Sequence, residues 1–281
     1  MLIKHSKLLA LHGAIILFAL CALFAKWLSL PATVIVFGRT VFAVIAILIF
    51  CLLISHSLRV AKPLLVKLLF NGALLAFHWW SFFYSIQLST VTLGLLAFAT
   101  YPIWVVIINA VVNRTWLNRT TLMQLTLCTI GVVVFLSPDV SNVNLNAFFI
   151  GTLSALSFAL LTLYNKKQLS YTPALTIAFY QNFFASILLL PFVIGLAIMP
   201  NTEQLITLAL LGIVFTALAH ILLLHSLKTI SAVVVSMSLL LEPVYGVFAA
   251  TVLLNEVMTT ISYSGALLVI LACVWASKKQ T

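Results

Sequence analysis

The chain is poor in charge, and poorest in negative charge. Of 281 residues only 6% are Asp, Glu, Lys or Arg, and only four are acidic. Soluble domains carry roughly 25% charged and roughly 45–50% apolar residues; here 64% are apolar. A water-soluble fold has too little interior for that much apolar surface, so the composition excludes a soluble protein and leaves an integral membrane protein. The motifs of chemistry are missing as well. There is no G-x-x-x-x-G-K loop to hold the phosphates of a primary pump, no H-E-x-x-H helix, and no pair of deep carboxylates. Cys21, Cys51, Cys128 and Cys273 show no C-x-x-C or His-flanked spacing, so they read as small buried apolar residues. No cofactor and no metal is therefore expected. The net charge of +10 forms no stripe interleaved with aromatics, which argues against nucleic acid as a partner.

What is present is a series of runs long enough for a bilayer, which takes about 20 mostly apolar residues per crossing. Ten spans are expected, near 8–27, 33–54, 64–86, 91–112, 121–137, 147–165, 174–196, 204–226, 231–254 and 262–277. The first run follows basic residues as a signal peptide would, but its length and the spans behind it read as a retained helix. Lys4, Lys7, Arg59, Lys62, Lys67, Arg114, Arg119, Lys166, Lys167, Lys228, Lys278 and Lys279 fall on one face of this arrangement. Only Lys26 falls on the other, together with Asp139, Glu203 and Glu256. By the positive-inside rule both termini face the cytoplasm, and adding or losing one span would scramble the pattern. The expected location is a plasma membrane, the inner membrane of a bacterium. Lys166, Lys167, Lys278 and Lys279 read as orientation anchors with some contact to anionic lipid.

The chain also repeats itself. "PATVIVFGRTVFA" from Pro31 aligns with "PALTIAFYQNFFA" from Pro173 at an offset of 142, while Ser85 matches Ser226 and Pro102 matches Pro243 at 141. This divides the chain into a first five-helix repeat at 1–137, a polar connection at 138–146 and a second five-helix repeat at 147–281. Five is odd, so the second copy inserts upside down. The expected fold class is an all-α integral membrane protein, ten transmembrane helices in two inverted repeats around a central cavity. Inverted repeats typify secondary transporters, with the substrate site at midplane between the halves. Pro102 and Pro243, each near the centre of its span, are the paired helix breaks that point to it.

These features carry a resemblance. The second-span "FGRTVFA", the fourth-span "TYPIW" and the ninth-span "LLLEPVYG" followed by "LLNE" resemble the EamA-type branch of the drug/metabolite transporter superfamily, over essentially the whole chain. The resemblance implies ten helices in two inverted repeats and alternating-access transport or export of small metabolites. The chain departs from the family at Thr115, where an acidic residue often follows the fourth span as Glu256 follows the ninth.

Two charges remain inside the hydrocarbon, Arg39 and Glu242. Glu242 lies about 18 Å along its helix from the outer end and Arg39 about 9 Å. A charge at midplane costs roughly 2.5–3.5 kcal/mol on insertion scales, so such residues face protein or water and are site candidates by default. Three arrangements are open: a buried ion pair that fixes packing; a cavity in which Arg39 attracts an anionic group and Glu242 a cationic group or a proton; or a neutral Glu242 held by a local hydrogen bond. Helical spacing puts Ser238, Glu242 and Tyr245 with Ala249 on one face, and Gly94, Ala97, Tyr101 and Trp104 on another. These faces are expected either to oppose across a cavity or, for the small residues, to pack helices closely. In "FHWWSFFYS", His78, Trp79 and Tyr84 form an aromatic wall or a packing face. The repeat sets His220 opposite Trp79, His225 opposite Tyr84, and Gln181 opposite Arg39.

The function expected is a secondary active transporter exporting a small organic metabolite, such as an amino acid or a related amphipathic compound. Its partners are that solute, the lipid bilayer and protons as the coupling ion, with Glu242 the midplane proton site. A channel, a non-transporting structural protein and, least, a membrane-embedded enzyme are the alternatives.

Overall fold

The computed structural model describes residues 2–115, 118–137, 144–254 and 259–278, with the side chains of 2–5, 247, 249–254 and 277–278 left aside. Asp139, Glu256 and Lys279 lie outside the described residues. Among those described, the secondary structure is helical throughout. Eight helical runs are long and apolar enough to cross a membrane, and two shorter apolar runs, Ala232–Gly246 and Thr260–Ala276, bring the total to ten. The fold is thus all-α and membrane-spanning, and its spans fall within a few residues of those read from the sequence.

Four spans are interrupted. The first is α1 (Leu2–Cys21) and α2 (Phe24–Trp27); the second and third are α3 (Ala32–Leu53) and α4 (Lys62–Leu88). The fourth is α5 (Val91–Phe98) and α6 (Tyr101–Asn113), and the fifth is α7 (Arg119–Leu136). The sixth and seventh are α8 (Leu145–Gln168) and α9 (Ala174–Leu196). The eighth runs from α10 (Thr202–Gly212) through a π-helical segment, Ile213–Leu218, into α11 (Ala219–Leu227). The ninth is α12 (Ala232–Ser238) and α13 (Leu241–Leu254), and the tenth is α14 (Thr260–Lys278).

The interruptions have local causes. Pro102 supplies no N–H to the Phe98 carbonyl, so α5 stops there and Thr100 turns back to Ala97 through its N–H and its hydroxyl. Pro243 does the same in the ninth span, where Glu242 N–H donates to Leu239 O at 2.9 Å in a tighter turn. The caps repeat too. Pro31 and Pro173 occupy the N-caps of α3 and α9 with nearly equal dihedrals. Thr90 and Ser231 each accept from the backbone N–H three residues on, starting α5 and α12.

Packing follows the same pairing. The third span packs on the sixth and seventh as the eighth packs on the first and second; the fifth packs on the tenth. Ser85 donates to Ala147 O in the sixth span at 2.6 Å, and Ser226 donates to Lys7 O in the first at 2.9 Å. Gly265 lets the tenth span lie against the fifth, and two further glycines allow close crossings at equivalent positions of the repeat. A Cβ on Gly72 would lie 2.5 Å from Phe184 Cβ and 3.2 Å from Gln181 O; one on Gly212 would lie 2.5 Å from Phe42 Cβ and 2.7 Å from Arg39 O. Phe184 and Phe42, like Gln181 and Arg39, are repeat equivalents at the 142 offset. In hydrocarbon there is no apolar driving force between helices, so such close approach is what holds them together.

Gly72→Ala and Gly212→Ala are each expected to cost about 1–3 kcal/mol through overpacking. Gly246→Ala, whose added methyl would meet nothing nearer than 3.6 Å, is expected to be neutral or slightly stabilising. Thermal unfolding in detergent checks this, and equal melting of the Gly212 and Gly246 variants would contradict the packing.

Candidate functional site

The interrupted spans meet at a small cavity of about 30 Å³. Phe18 and Cys21 come to it from the first span, Arg39 from the second, and Leu75, His78, Trp79 and Phe82 from the third. Phe98, Phe158, His220, Leu239 and Glu242 complete the lining. The volume suits ordered water and is too small for an organic solute. The breaks explain why these residues converge: Cys21, Phe98 and Leu239 each sit at the end of a helical segment, where the chain changes direction.

Arg39 is fully buried. Its Nε donates to Thr216 Oγ1 at 2.8 Å, and one amino group, Nη2, reaches Phe215 O at 3.4 Å. The guanidinium carbon lies 4.0 Å above the centre of the Trp79 ring and 5.3 Å from that of Phe83, a cation–π seat. The π segment creates the Thr216 contact. There the Thr216 hydroxyl donates to Leu211 O, five residues back, at 2.8 Å, so its lone pair is left for Arg39. The other amino group, Nη1, is buried and has no partner.

Among the described residues no ion pair joins Arg39 to Glu242, although both line the cavity. Of the three arrangements open in the sequence, the ion pair is the one not formed; Arg39 and Glu242 instead line one shared space. His78 donates from Nδ1 to Ser154 O at 3.1 Å, since a carbonyl only accepts, and the Ser154 hydroxyl returns a bond to His78 O at 2.9 Å. That places a proton on Nδ1. His78 also stacks on Phe158 at 4.3 Å. His220 is buried, edge-on to Trp79 at 5.9 Å, and neither of its nitrogens has a partner. Among the described residues no group of three His, Cys, Asp or Glu side chains is placed to hold a metal ion.

Five of the sequence candidates therefore line one cavity: Arg39, His78, Trp79, His220 and Glu242. The structure places the others elsewhere. Tyr101 stacks on Phe98 at 5.5 Å, one layer behind the lining, and its hydroxyl bonds Thr162 at 2.8 Å. Trp104 is half-buried against the core with its Nε1 unpartnered. Tyr84 stacks on Trp80 and borders a separate surface groove. Tyr245 bonds His12 of the first span at 2.8 Å. Ser238 is buried outside the lining, and Gln181 joins Asn71, Asn165 and Gln168 in a buried amide cluster between the third, sixth and seventh spans. Gly94 and Ala97 pack closely on Ile86 and Gly151.

The helical-face expectation fails at Ser238 because continuous spacing does not carry across the break at Leu239–Leu240, and at Tyr245 because its hydroxyl is drawn to His12 of the first span. The proline was a legible signal for that break. The π segment and Thr216 carry no comparable mark, and neither does the break after Cys21, where the sequence has no proline or glycine. Pro102 and Pro243 are both buried at the breaks.

Comparison with known proteins agrees with this architecture. A solved crystal structure superposes over 99% of this chain and 99% of its own, with a TM-score of 0.81 at 14% identity, a likeness of fold. An uncharacterized transporter, YxxF, of Bacillus subtilis (strain 168) is 24% identical over 257 residues, 89% of this chain and 82% of the relative. An S-adenosylmethionine uptake transporter of Rickettsia prowazekii (strain Madrid E) is 26% identical over 233 residues, 80% and 76%. The EamA-like transporter family matches twice, at residues 5–137 and 145–278, so the chain belongs to the EamA-like transporter family, part of the drug/metabolite transporter superfamily, and is a transporter rather than an enzyme.

Proposed function

We propose that the protein is a secondary active transporter that moves a small organic metabolite, an amino acid or a related amphipathic compound, by alternating access. The observation that carries this reading is the cavity itself: an arginine, a glutamate and two histidines set among aromatic rings, at helix breaks. In a state that opens this cavity, such a lining offers an anchor at each end of an amphipathic solute and a ring-lined middle. Relatives named for S-adenosylmethionine uptake fit that class, because S-adenosylmethionine joins an amino-acid head, a cationic centre and a purine. The gradients across the membrane, not the lining, set whether flow is export or uptake.

Inverted repeats, 1–137 and 147–281, underlie the exchange of access. Support comes from the two family matches, the odd number of spans in each half, and the paired caps, serines, glycines and prolines. A further pair fits a state with both sides shut. Lys26 donates to Ser89 O at the turn after the third span at 2.8 Å, and Lys166 donates to Leu227 O and Ile230 O after the eighth at 2.8 Å each. In the proposed topology these sit on opposite membrane faces, the first outside and the second inside. The membrane is the bacterial inner membrane, and both termini are cytoplasmic.

Glu242 is the coupling residue in this reading, binding a proton on one side of the cycle and releasing it on the other. Liposomes holding the purified protein are expected to accumulate labelled S-adenosylmethionine or an amino acid from a broad panel when a pH gradient is imposed. Glu242→Gln is expected to lower that accumulation at least about tenfold while leaving counter-exchange at equal pH. Full pH-gradient dependence in the variant would remove Glu242 from the coupling role, and no flux of any solute tested would overturn the transport reading.

Orientation has its own test. Green fluorescent protein fused after Thr281 is expected to fluoresce, and alkaline phosphatase fused in the turn before Asn201 to be active. The reverse result at either site would contradict cytoplasmic termini.

A further inference from the structure

The cavity holds two buried groups that its own side chains leave unused. Arg39 is satisfied at Nε and reaches Phe215 O from Nη2, but Nη1 has no acceptor; His220 has neither a donor nor an acceptor partner at its ring. Buried polar groups without partners are rare because each costs about 1–3 kcal/mol. One indole locates both: the guanidinium lies on the face of Trp79 and the imidazole meets Trp79 edge-on. A neutral imidazole keeps one N–H, and Nη1 keeps two. Arg39 and His220 both line the same small volume.

We infer that Arg39 Nη1 and His220 form an oxyanion subsite, sized for the carboxylate of the transported solute, and that Thr216 is the residue that positions it. This deepens the transport reading above and rests on it. The guanidinium is charged at every accessible pH and is less strongly hydrated than an ammonium, so it prefers a carboxylate to bulk water's competition. Glu242 is the rival acceptor within the protein. What keeps Arg39 from turning to it is the bond at Nε. The Thr216 hydroxyl proton is committed to Leu211 O, so its oxygen can only accept from Arg39, and the π segment fixes where that oxygen sits. Without that hydroxyl, Nε is unpartnered and the fork is free to rotate across the cavity onto Glu242. The subsite would then be filled by the protein's own carboxylate.

Cys21 lines the cavity together with Arg39 and Glu242, so its reactivity reports on the sign of the charge there. The full-length protein in detergent is treated with a negatively charged methanethiosulfonate (2-sulfonatoethyl) or a positively charged one (2-trimethylammonioethyl). Labelling of the Cys21 peptide is followed by mass spectrometry and each rate is divided by that of a free thiol. The anionic reagent is expected to react about tenfold faster. Thr216→Val, nearly the same shape, is expected to lose the preference, and Thr216→Ser to keep it, with melting temperatures confirming that both fold. Equal rates in the unaltered protein, the result for a cavity that holds water only, would overturn the subsite and leave the transport reading standing. A preference surviving in Thr216→Val would overturn the positioning role. Cys21 inert to both reagents, in liposomes carrying out measured flux as well as in detergent, would overturn the subsite, while absence of flux itself would overturn the transport reading.

Discussion

A guanidinium buried in hydrocarbon is the constraint around which this structure is arranged. Removing Arg39 from water is expensive, and a bilayer offers nothing to replace the hydration. The protein supplies an aromatic face beneath the charge, a hydroxyl at Nε and a carbonyl near Nη2. Each of these has a structural origin elsewhere. The aromatic face comes from the third span, the hydroxyl and carbonyl from a π segment in the eighth, and Gly212 just before that segment lets the eighth span lie against the second. The close crossing and the charged site are one feature seen at two scales.

The seventh span shows what the same scaffold does without the charge. Gln181 stands where the repeat has Arg39, and Gly72 lets the third span cross there as Gly212 lets the eighth cross at Arg39. The result is a knot of amides, in which Gln181 and Asn71 bond Asn165 and Asn71 bonds Gln168, all buried. Amides can bond one another because each both donates and accepts. A guanidinium only donates, and its acceptors come from other elements. The two junctions at equivalent positions thus differ in what they leave over, a spare acceptor at Gln181 Oε1 in one and a spare donor at Arg39 Nη1 in the other. The asymmetry of Glu242 against Tyr101 has the same form: Tyr101 is satisfied by Thr162, while Glu242 faces the cavity.

Much of this was legible in the sequence for reasons that can be named. Spans were visible because the bilayer sets a length, and the repeat because Pro31, Ser85 and Pro102 recur with near-constant spacing. Arg39 and Glu242 stood out because charge in hydrocarbon is costly. What escaped were positions set by backbone geometry without a side-chain signature. Thr216 matters only because the helix around it is π, and Cys21 lines the cavity only because α1 ends there. Phe98 and Leu239 took the places expected of Tyr101 and Ser238, because a break of two residues turns the next segment to a new face. Periodicity is reliable between breaks and loses phase across them.

This bears on how paired prolines should be read in duplicated membrane proteins. A proline mid-span removes one donor, but its larger effect here is to reset helical phase so that the residue before it and the residues before the break look in different directions. In the ninth span that sends Glu242 and Leu239 to the cavity, while Tyr245 meets His12 of the first span. In the fourth it sends Phe98 there and turns Tyr101 to Thr162 of the sixth. Each interrupted span thus serves two neighbours at once, lining the cavity and bonding a side chain in the other half of the chain. A rigid continuous helix has one phase along its length and would have to choose.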